Sequence, residues 1–377
     1  MSEAYIVDYV RSPFTFAKKG ALANVRPEAL GAHVVRALLD KAGVPGDEIE
    51  DIVWACAFQE GEQGLNLGRV VGLEAGLPVT TCGMTINRWC GSALQAVQAA
   101  AGMLKMGAGD AFVAGGTECT SRVPMMGFNL LPPPGWTQEQ VDAYVTVGLS
   151  AEIIAKEHNV SREEQDLFAH NSHQKALSAQ RGGRFDAEIA PYDTGDGVVD
   201  KDGCIKDTSL KKMAMLKPAF LKGGTVTAAT ASPFTDGSAA VLVCGDDFLK
   251  RHDLRPLARI VSFAVSGCEP GKMGLGPIES SRKALKRAGM TIADMGVIEM
   301  NEAFSAQAEA SRRALDIDPD ILNMDGGAIA LGHPLGATGA RLVGKCATLL
   351  HRENKRYGLA TQCMGGGMGI AMVLEAA

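Results

Sequence analysis

Apolar and polar positions alternate over residues 4–10, a period of two that predicts a first strand. Residues 28–42 then place apolar side chains at helical spacing and stop at Gly43, and a second strand follows near 52–57. The stretch 92–106, SALQAVQAAAGMLKM, predicts a strong helix because alanine has the best helix propensity, and Gly107 closes it. AFVAGG at 111–116 reads as a buried strand. Strands that alternate with helices predict a layered α/β sheet.

From about 118 to 233 this regularity is lost. The segment holds a proline run, Pro132–Pro134, and a Gly/Asp-rich stretch at 193–203. It also holds a polar helix at 161–179, announced by a capping box of Ser161 with Glu164. It reads as an insertion lying over something. The α/β pattern resumes near 234 and repeats the first half. Ala42-Gly43 after ALLDK matches Ala288-Gly289 after KALKR, an offset of 246. The same offset carries the helix 92–106 onto 338–352 and the strand 111–115 onto 357–361. A duplicated α/β unit follows, with halves at 1–255 and 256–377 and the insertion in the first copy. Cys90 then falls on Gly336, and Asn87 falls on His333. Two matching turns before two matching helices are expected to face one pocket.

Composition narrows the classes. The 377 residues are 46% apolar and 21% charged, an ordinary globular balance that excludes disorder. A net charge of −6 lacks the basic excess of a general nucleic-acid binder. No apolar run approaches ~18 residues, so no membrane span is expected. MSEAYIVDYVRSPF has no long apolar core, which predicts no signal peptide. Nine cysteines without a CxxC pair argue against a disulfide framework or a zinc ribbon and fit a reducing cytoplasm.

Four blocks carry candidate chemistry. Cys90, in NRWCGSALQAV, precedes the Ala-rich helix, where free N–H groups and the helix dipole are expected to lower a thiol pKa. That placement suits a covalent nucleophile; a cysteine packed under a helix is the competing reading. His333, in GGAIALGHPLGATGAR (326–341), is a natural general base, and the surrounding glycines indicate close backbone approach. The spacing of Gly332, Gly336 and Gly339 is not that of a dinucleotide loop. CMGGGMG (363–369) ends a strand at Cys363 and opens a glycine loop able to form an anion nest. NEAFSAQ (301–307) offers Asn301, either to hold a water or carbonyl or as a helix N-cap.

Together these blocks resemble those of thiolases, in the same order along the chain. GGTECTSRVP, SREEQDLFA, KPAF, GTVTAATAS and MGLGPIESSRKAL add to the likeness, which covers essentially the whole sequence. The resemblance implies a duplicated α/β/α/β/α layered fold with an inserted loop domain. It implies that Cys90 is the acylated nucleophile, His333 the base that activates it, and Cys363 the thiol that moves the proton at the α-carbon. It places Asn301 and His333 at one oxyanion hole and the backbone N–H groups of Cys90 and Gly365 at a second. Ser232, Met273 and Phe304 become pocket residues near pantetheine and acyl group, and Lys206 a candidate for the coenzyme A nucleotide. Coenzyme A is a substrate in this scheme, and no metal or redox cofactor is implied. A homodimer or homotetramer is implied, with a hydratase/dehydrogenase subunit as a candidate partner.

The sequence departs from the family pattern at Ala93, where a glycine is usual, at Thr146-Val147, where acetoacetyl-specific members often carry His-Met, and at Thr230, where many carry Asn. The added methyl of Ala93 either narrows the pocket of the nucleophile and so tunes which acyl chains fit, or is absorbed by the helix. The missing His-Met pair, with Glu62-Gln63-Gly64 and the EMNEAF block, favours a degradative 3-ketoacyl-CoA thiolase over an acetyl-CoA acetyltransferase. A decarboxylating ketoacyl synthase and a lipid-binding pseudoenzyme are the more distant alternatives.

Overall fold

The computed structural model describes residues 3–129, 133–141 and 146–377. Pro132 of the proline run and Tyr144-Val145 lie outside the described residues. The first half begins with β1 (Tyr5–Arg11), β2 (Thr15–Phe16), α1 (Pro27–Ala42), β3 (Asp51–Ala55), α2 (Leu67–Glu74), β4 (Cys82–Ile86), α3 (Ser92–Lys105) and β5 (Ala111–Cys119). The inserted region carries α4 (Gln138–Val141), α5 (Val147–Glu157), α6 (Arg162–Arg181), β6 (Tyr192–Asp193), β7 (Val198–Val199) and α7 (Leu210–Ala214). The half closes with β8 (Thr235–Cys244) and α8 (Asp246–His252). The second half runs β9 (Ala258–Gly267), α9 (Gly276–Ala288), β10 (Val297–Met300), α10 (Ser305–Ala314), α11 (Ala328–Leu331), α12 (Leu335–Arg352), β11 (Tyr357–Met364) and β12 (Met368–Ala376).

The two halves repeat one another in detail. Strand order is β1-β8-β5-β3-β4 in the first and β9-β12-β11-β10 in the second. In both, an inner parallel pair (β3 with β5, β10 with β11) continues into antiparallel neighbours. The parallel partner that β4 gives β3 shrinks, in the second half, to a single bridge between Ile298 and Leu322. α1 and α9 both carry proline in their first turn and end on a left-handed glycine, Gly43 at φ 66° and Gly289 at φ 68°. β11 and β12 are separated only by residues 365–367, whereas β5 and β8 are separated by 120–234, the inserted region. The halves join where β1 pairs with β9 at Tyr5–Arg259 and Ile6–Ala258.

Burial explains the layering. α3 and α12 lie in the middle, their alanines and leucines packed between Val53, Ala114 and Val241 of one half and Val297, Ala360 and Met372 of the other. α1, α2 and α8 cover the outer face of the first half through Val34, Leu38, Val71 and Phe248. α9 and α10 cover that of the second through Ile278, Leu285 and Ala308. The result is the expected α/β/α/β/α stack. The central helices cross closely enough that a Cβ on Gly339 would stand 2.1 Å from Leu94 N. Ala93 is fully buried at this crossing, where its methyl group is absorbed by helix packing. In the inserted region, α6 starts on the expected capping box: Ser161 Oγ accepts from Glu164 N at 3.2 Å, and Ser161 N donates back to Glu164 Oε2 at 2.8 Å. No helix among the described residues is long and apolar enough to cross a membrane.

Candidate active site

Four chain segments meet where α3 and α12 begin. Trp89, at φ 50°, makes a left-handed turn just ahead of α3. Ser92 Oγ stitches this turn, accepting from Arg88 N and donating to Trp89 O. Cys90 therefore sits one residue outside Gly91, the N-cap of α3, and is buried. The Gln362 amide on β11 donates to the Cys90 carbonyl and ties the turn to the second half. Gly365, after β11, passes beneath the Trp89 ring, which a Cβ there would approach to 3.3 Å.

Burial pushes the Cys90 thiol up to about 11; the backbone N–H groups of Gly365 and of Cys90 itself pull it down, and the Glu118 carboxylate pushes it up. The N–H groups assigned from the resemblance to an oxyanion hole thus face the sulfur. The lowered thiol pKa expected from the helix start is corrected: two N–H groups do not outweigh removal from water. Cys363 is fully buried, and its thiol is raised by burial and by the nearby Cys90. Burial, aided by the positive charge of Arg341, lowers His333 to about 3. The resting site therefore holds a neutral thiol and a neutral imidazole.

Asn301 follows β10 and is not a helix N-cap, since α10 starts at Ser305. Its Nδ2 lies 3.2 Å from His333 Nε2, while its Oδ1 is buried with no partner among the described residues. That unsatisfied acceptor suits a water or a ligand donor. Asn87, the counterpart of His333, does not reach the cavity; its side chain donates to Ala57 O and accepts from Trp89 N. Glu118 at the end of β5 organises the floor, accepting from Ala57 N, Phe58 N, Gln63 Nε2 and Gly336 N at 2.7–3.2 Å.

A cavity of about 350 Å³ opens onto this centre. Its walls include Cys90 and His333 together with Ser232, Met273, Phe304 and Lys206. Met273, Phe304 and Val147 also pack in one cluster with Cys363. Thr230 lies outside the walls and folds its own loop through Thr227 and Ser305. Sequence reasoning missed Phe16, Lys19, Met125, Phe220, Phe234 and Leu335 among the lining residues, and they carry no local pattern that marks them. The ammonium groups of Lys19 and Lys206 stand 4.8 and 5.0 Å from the Phe16 ring, and neither has a carboxylate partner among the described residues. A larger open groove of about 670 Å³ between α6 and α10 contains none of the reactive residues, and its Arg312 and Arg313 are already paired with Glu309 and Glu164.

A repeated five-layer fold with a cysteine, a histidine, an asparagine and a second cysteine gathered around one buried centre defines the class, and comparison with known families agrees. Residues 4–247 match the family described as "Thiolase, N-terminal domain" and residues 254–376 match "Thiolase, C-terminal domain". The chain belongs to the thiolase family and is an acyltransferase. It is 42% identical over 389 residues to a 3-ketoacyl-CoA thiolase of Bacillus subtilis (strain 168), with all of both chains covered. It is 43% identical over 383 residues to one of Psychrobacter cryohalolentis, covering 99% of this chain and 98% of that one. Among solved structures, the human mitochondrial 3-ketoacyl-CoA thiolase in complex with CoA is similar at TM-score 0.92 and 34% identity, covering 100% of this chain and 98% of that one. The Bacillus anthracis acetyl-CoA acetyltransferase is similar at TM-score 0.92 and 35% identity, covering 100% and 99%.

Proposed function

We propose that the protein is a degradative 3-ketoacyl-CoA thiolase that works through an acyl-enzyme on Cys90. The observation that carries this reading is a cavity walled by both Cys90 and His333, with Cys363 close enough for its thiol to be raised by Cys90. The Cys90 thiol gives its proton to His333 Nε2 as sulfur attacks the 3-keto carbon. The carbon–carbon bond then breaks, the acyl group stays on sulfur, and the departing acetyl-CoA enolate takes a proton from Cys363. Coenzyme A attacks the acyl-enzyme, its thiol proton passing to the Cys363 thiolate, and Cys90 recovers its proton from His333. The N–H groups of Cys90 and Gly365 serve one oxyanion, and Asn301 with His333 the other; a single such donor is typically worth about 10²–10³ in rate. No step calls on a metal or redox group.

Ser232, Met273 and Phe304 hold the pantetheine and acyl portions. Lys206, paired with Lys19 across Phe16, supplies unbalanced positive charge for the coenzyme A phosphates. The halves at 1–255 and 256–377 divide the labour: Cys90 comes from the first, and Asn301, His333 and Cys363 from the second. We place the protein in the cytoplasm, which suits nine unpaired cysteines. A homodimer or homotetramer is supported by β4, an edge strand bordered by the 94% exposed Leu65. A hydratase/dehydrogenase subunit is the partner that degradation calls for.

The test is mass spectrometry of the protein after incubation with acyl-CoA, coupled to a thiolysis profile across chain lengths. An acyl adduct on Cys90 and turnover beyond four carbons are expected. Turnover of acetoacetyl-CoA alone would make it an acetyl-CoA acetyltransferase. Turnover of malonyl thioesters would make it a decarboxylating synthase, and folded protein that never forms the adduct would be a binding protein.

A further inference from the structure

His333 can act as a base only if its accessible nitrogen carries no proton, and the hydrogen bonds at its two nitrogens decide which one does. At Nε2 the neighbour is Asn301 Nδ2, 3.2 Å away. An amide nitrogen only donates, so Nε2 must accept. A neutral imidazole then carries its proton on Nδ1. That nitrogen lies 2.6 Å from Thr338 Oγ1, which must accept it. The Thr338 hydroxyl has one proton of its own, and the Pro334 carbonyl takes it at 2.9 Å, the i−4 bond available to threonine on a helix. The three contacts that link Asn301, His333, Thr338 and Pro334 fit one arrangement of protons. The reverse tautomer would set two N–H groups against each other at Nε2.

From this chain of contacts we infer that Thr338 is a positioning residue for His333, holding the imidazole in the Nδ1–H tautomer with Nε2 ready to receive the Cys90 proton. Thr338 is 1% exposed on the first turn of α12, and His333 stands two residues before that helix, so the same turn sets ring orientation and tautomer together. The inference rests on the proposed role of His333 as base. The Nδ1–H to Thr338 bond is compatible with both charge states of the ring and need not break when Nε2 gains a proton; the Asn301 N–H, which holds the Nε2 lone pair at rest, withdraws as that proton arrives. A side chain of the same shape without a hydroxyl would leave Nδ1–H buried without an acceptor and favour rotation or the other tautomer.

The experiment has two arms. Nitrogen-15 NMR of histidine-labelled wild-type protein, with His333 assigned from His333→Asn, is expected to show a protonated Nδ1 and a bare Nε2 at pH 7. Thr338→Val is expected to lose 10- to 100-fold in kcat, since misaligning a catalytic group costs about 10², with KM for acyl-CoA within about two-fold. Thr338→Ser should restore kcat to within about three-fold. A wild-type His333 protonated at Nε2 overturns the inference even if Thr338→Val does not fold. Full kcat in Thr338→Val overturns it as well. An inactive wild-type protein with a protonated Nδ1 would instead sink the thiolysis reading and leave the tautomer assignment standing.

Discussion

Alkylation of Cys90 should report a buried neutral thiol and not a resting thiolate. With burial pushing the thiol to about 11, the thiolate fraction at pH 7 is about one in 10⁴. A free cysteine near pKa 8.5 is roughly 3% thiolate at the same pH, about 300-fold more. His333 near 3 cannot change this, because it stays neutral across the working range and adds no positive charge beside the sulfur. The rate of iodoacetamide labelling at Cys90 should therefore rise about ten-fold per pH unit from pH 6 to pH 9 without levelling, as thiolate is the reacting form. Mass spectrometry of the Cys90 peptide after timed quenching measures it. Cys82, exposed at the start of β4, serves as an internal reference and should be labelled ahead of Cys90 throughout. A plateau or an inflection between pH 6 and 8 would refute the reasoning, because it would reveal a thiolate stabilised by a charged His333 or by the Gly365 N–H. If the steep rise is observed, attack on substrate must be concerted with proton transfer to His333, and the N–H groups act on charge that develops during reaction.

Gly339→Ala places a methyl against Leu94 N at 2.1 Å and Ala93 C at 2.9 Å, backbone atoms that cannot turn aside. Overpacking of this kind should cost about 3 kcal/mol and lower Tm by about 4 °C in a chain of this length; a shift under about 1 °C would show that the central helices separate freely. Acid should unfold the protein partly through its buried histidines. His173, lowered to about 4 by burial and then by Lys206 and His170, stays neutral in the fold while the unfolded chain protonates below about 6.5. Its share of the stability is complete above that pH and is lost as pH falls toward 4, at up to about 1.4 kcal/mol per pH unit. His173→Asn, which keeps an acceptor for Lys206 N, should flatten the urea-unfolding stability between pH 6 and 5 by that amount, and an unchanged slope would contradict it.

Much of the architecture was legible because repeated local signals agree. A single offset carries α1 onto α9, β3 onto β10, α3 onto α12 and β5 onto β11. It fails for α2 against α10, where loop lengths differ, and it does not cross the insertion: β8 matches β12 by its place in the strand order and not by the offset. Cys90 and His333 were readable because helix starts and glycine density mark places where backbone meets ligand. Their pKa directions were not equally readable, since helix position is local whereas burial depends on how four segments from two halves close over the centre. The lining residues Phe16, Lys19, Phe220 and Phe234 come from loops that no periodicity links, and only the fold brings them to one wall. Ala93 drew notice because a glycine is usual at its place in the resemblance, yet the helix carries it away from the cavity and into the contact with α12.

The matching turns before α3 and α12 also bear on how such a centre arises. In an assembly of two identical chains, any substitution at one turn would appear at both, and a cysteine would face a cysteine. Joining the copies in one polypeptide removes that constraint. One turn holds Cys90, the proposed nucleophile, where its twin keeps Gly336, and the twin holds His333 where the first keeps Asn87, which braces the Cys90 loop. Two linked copies can therefore give the crevice a thiol side and an imidazole side, a polarity that two identical copies cannot supply and that suits the proposed acyl transfer.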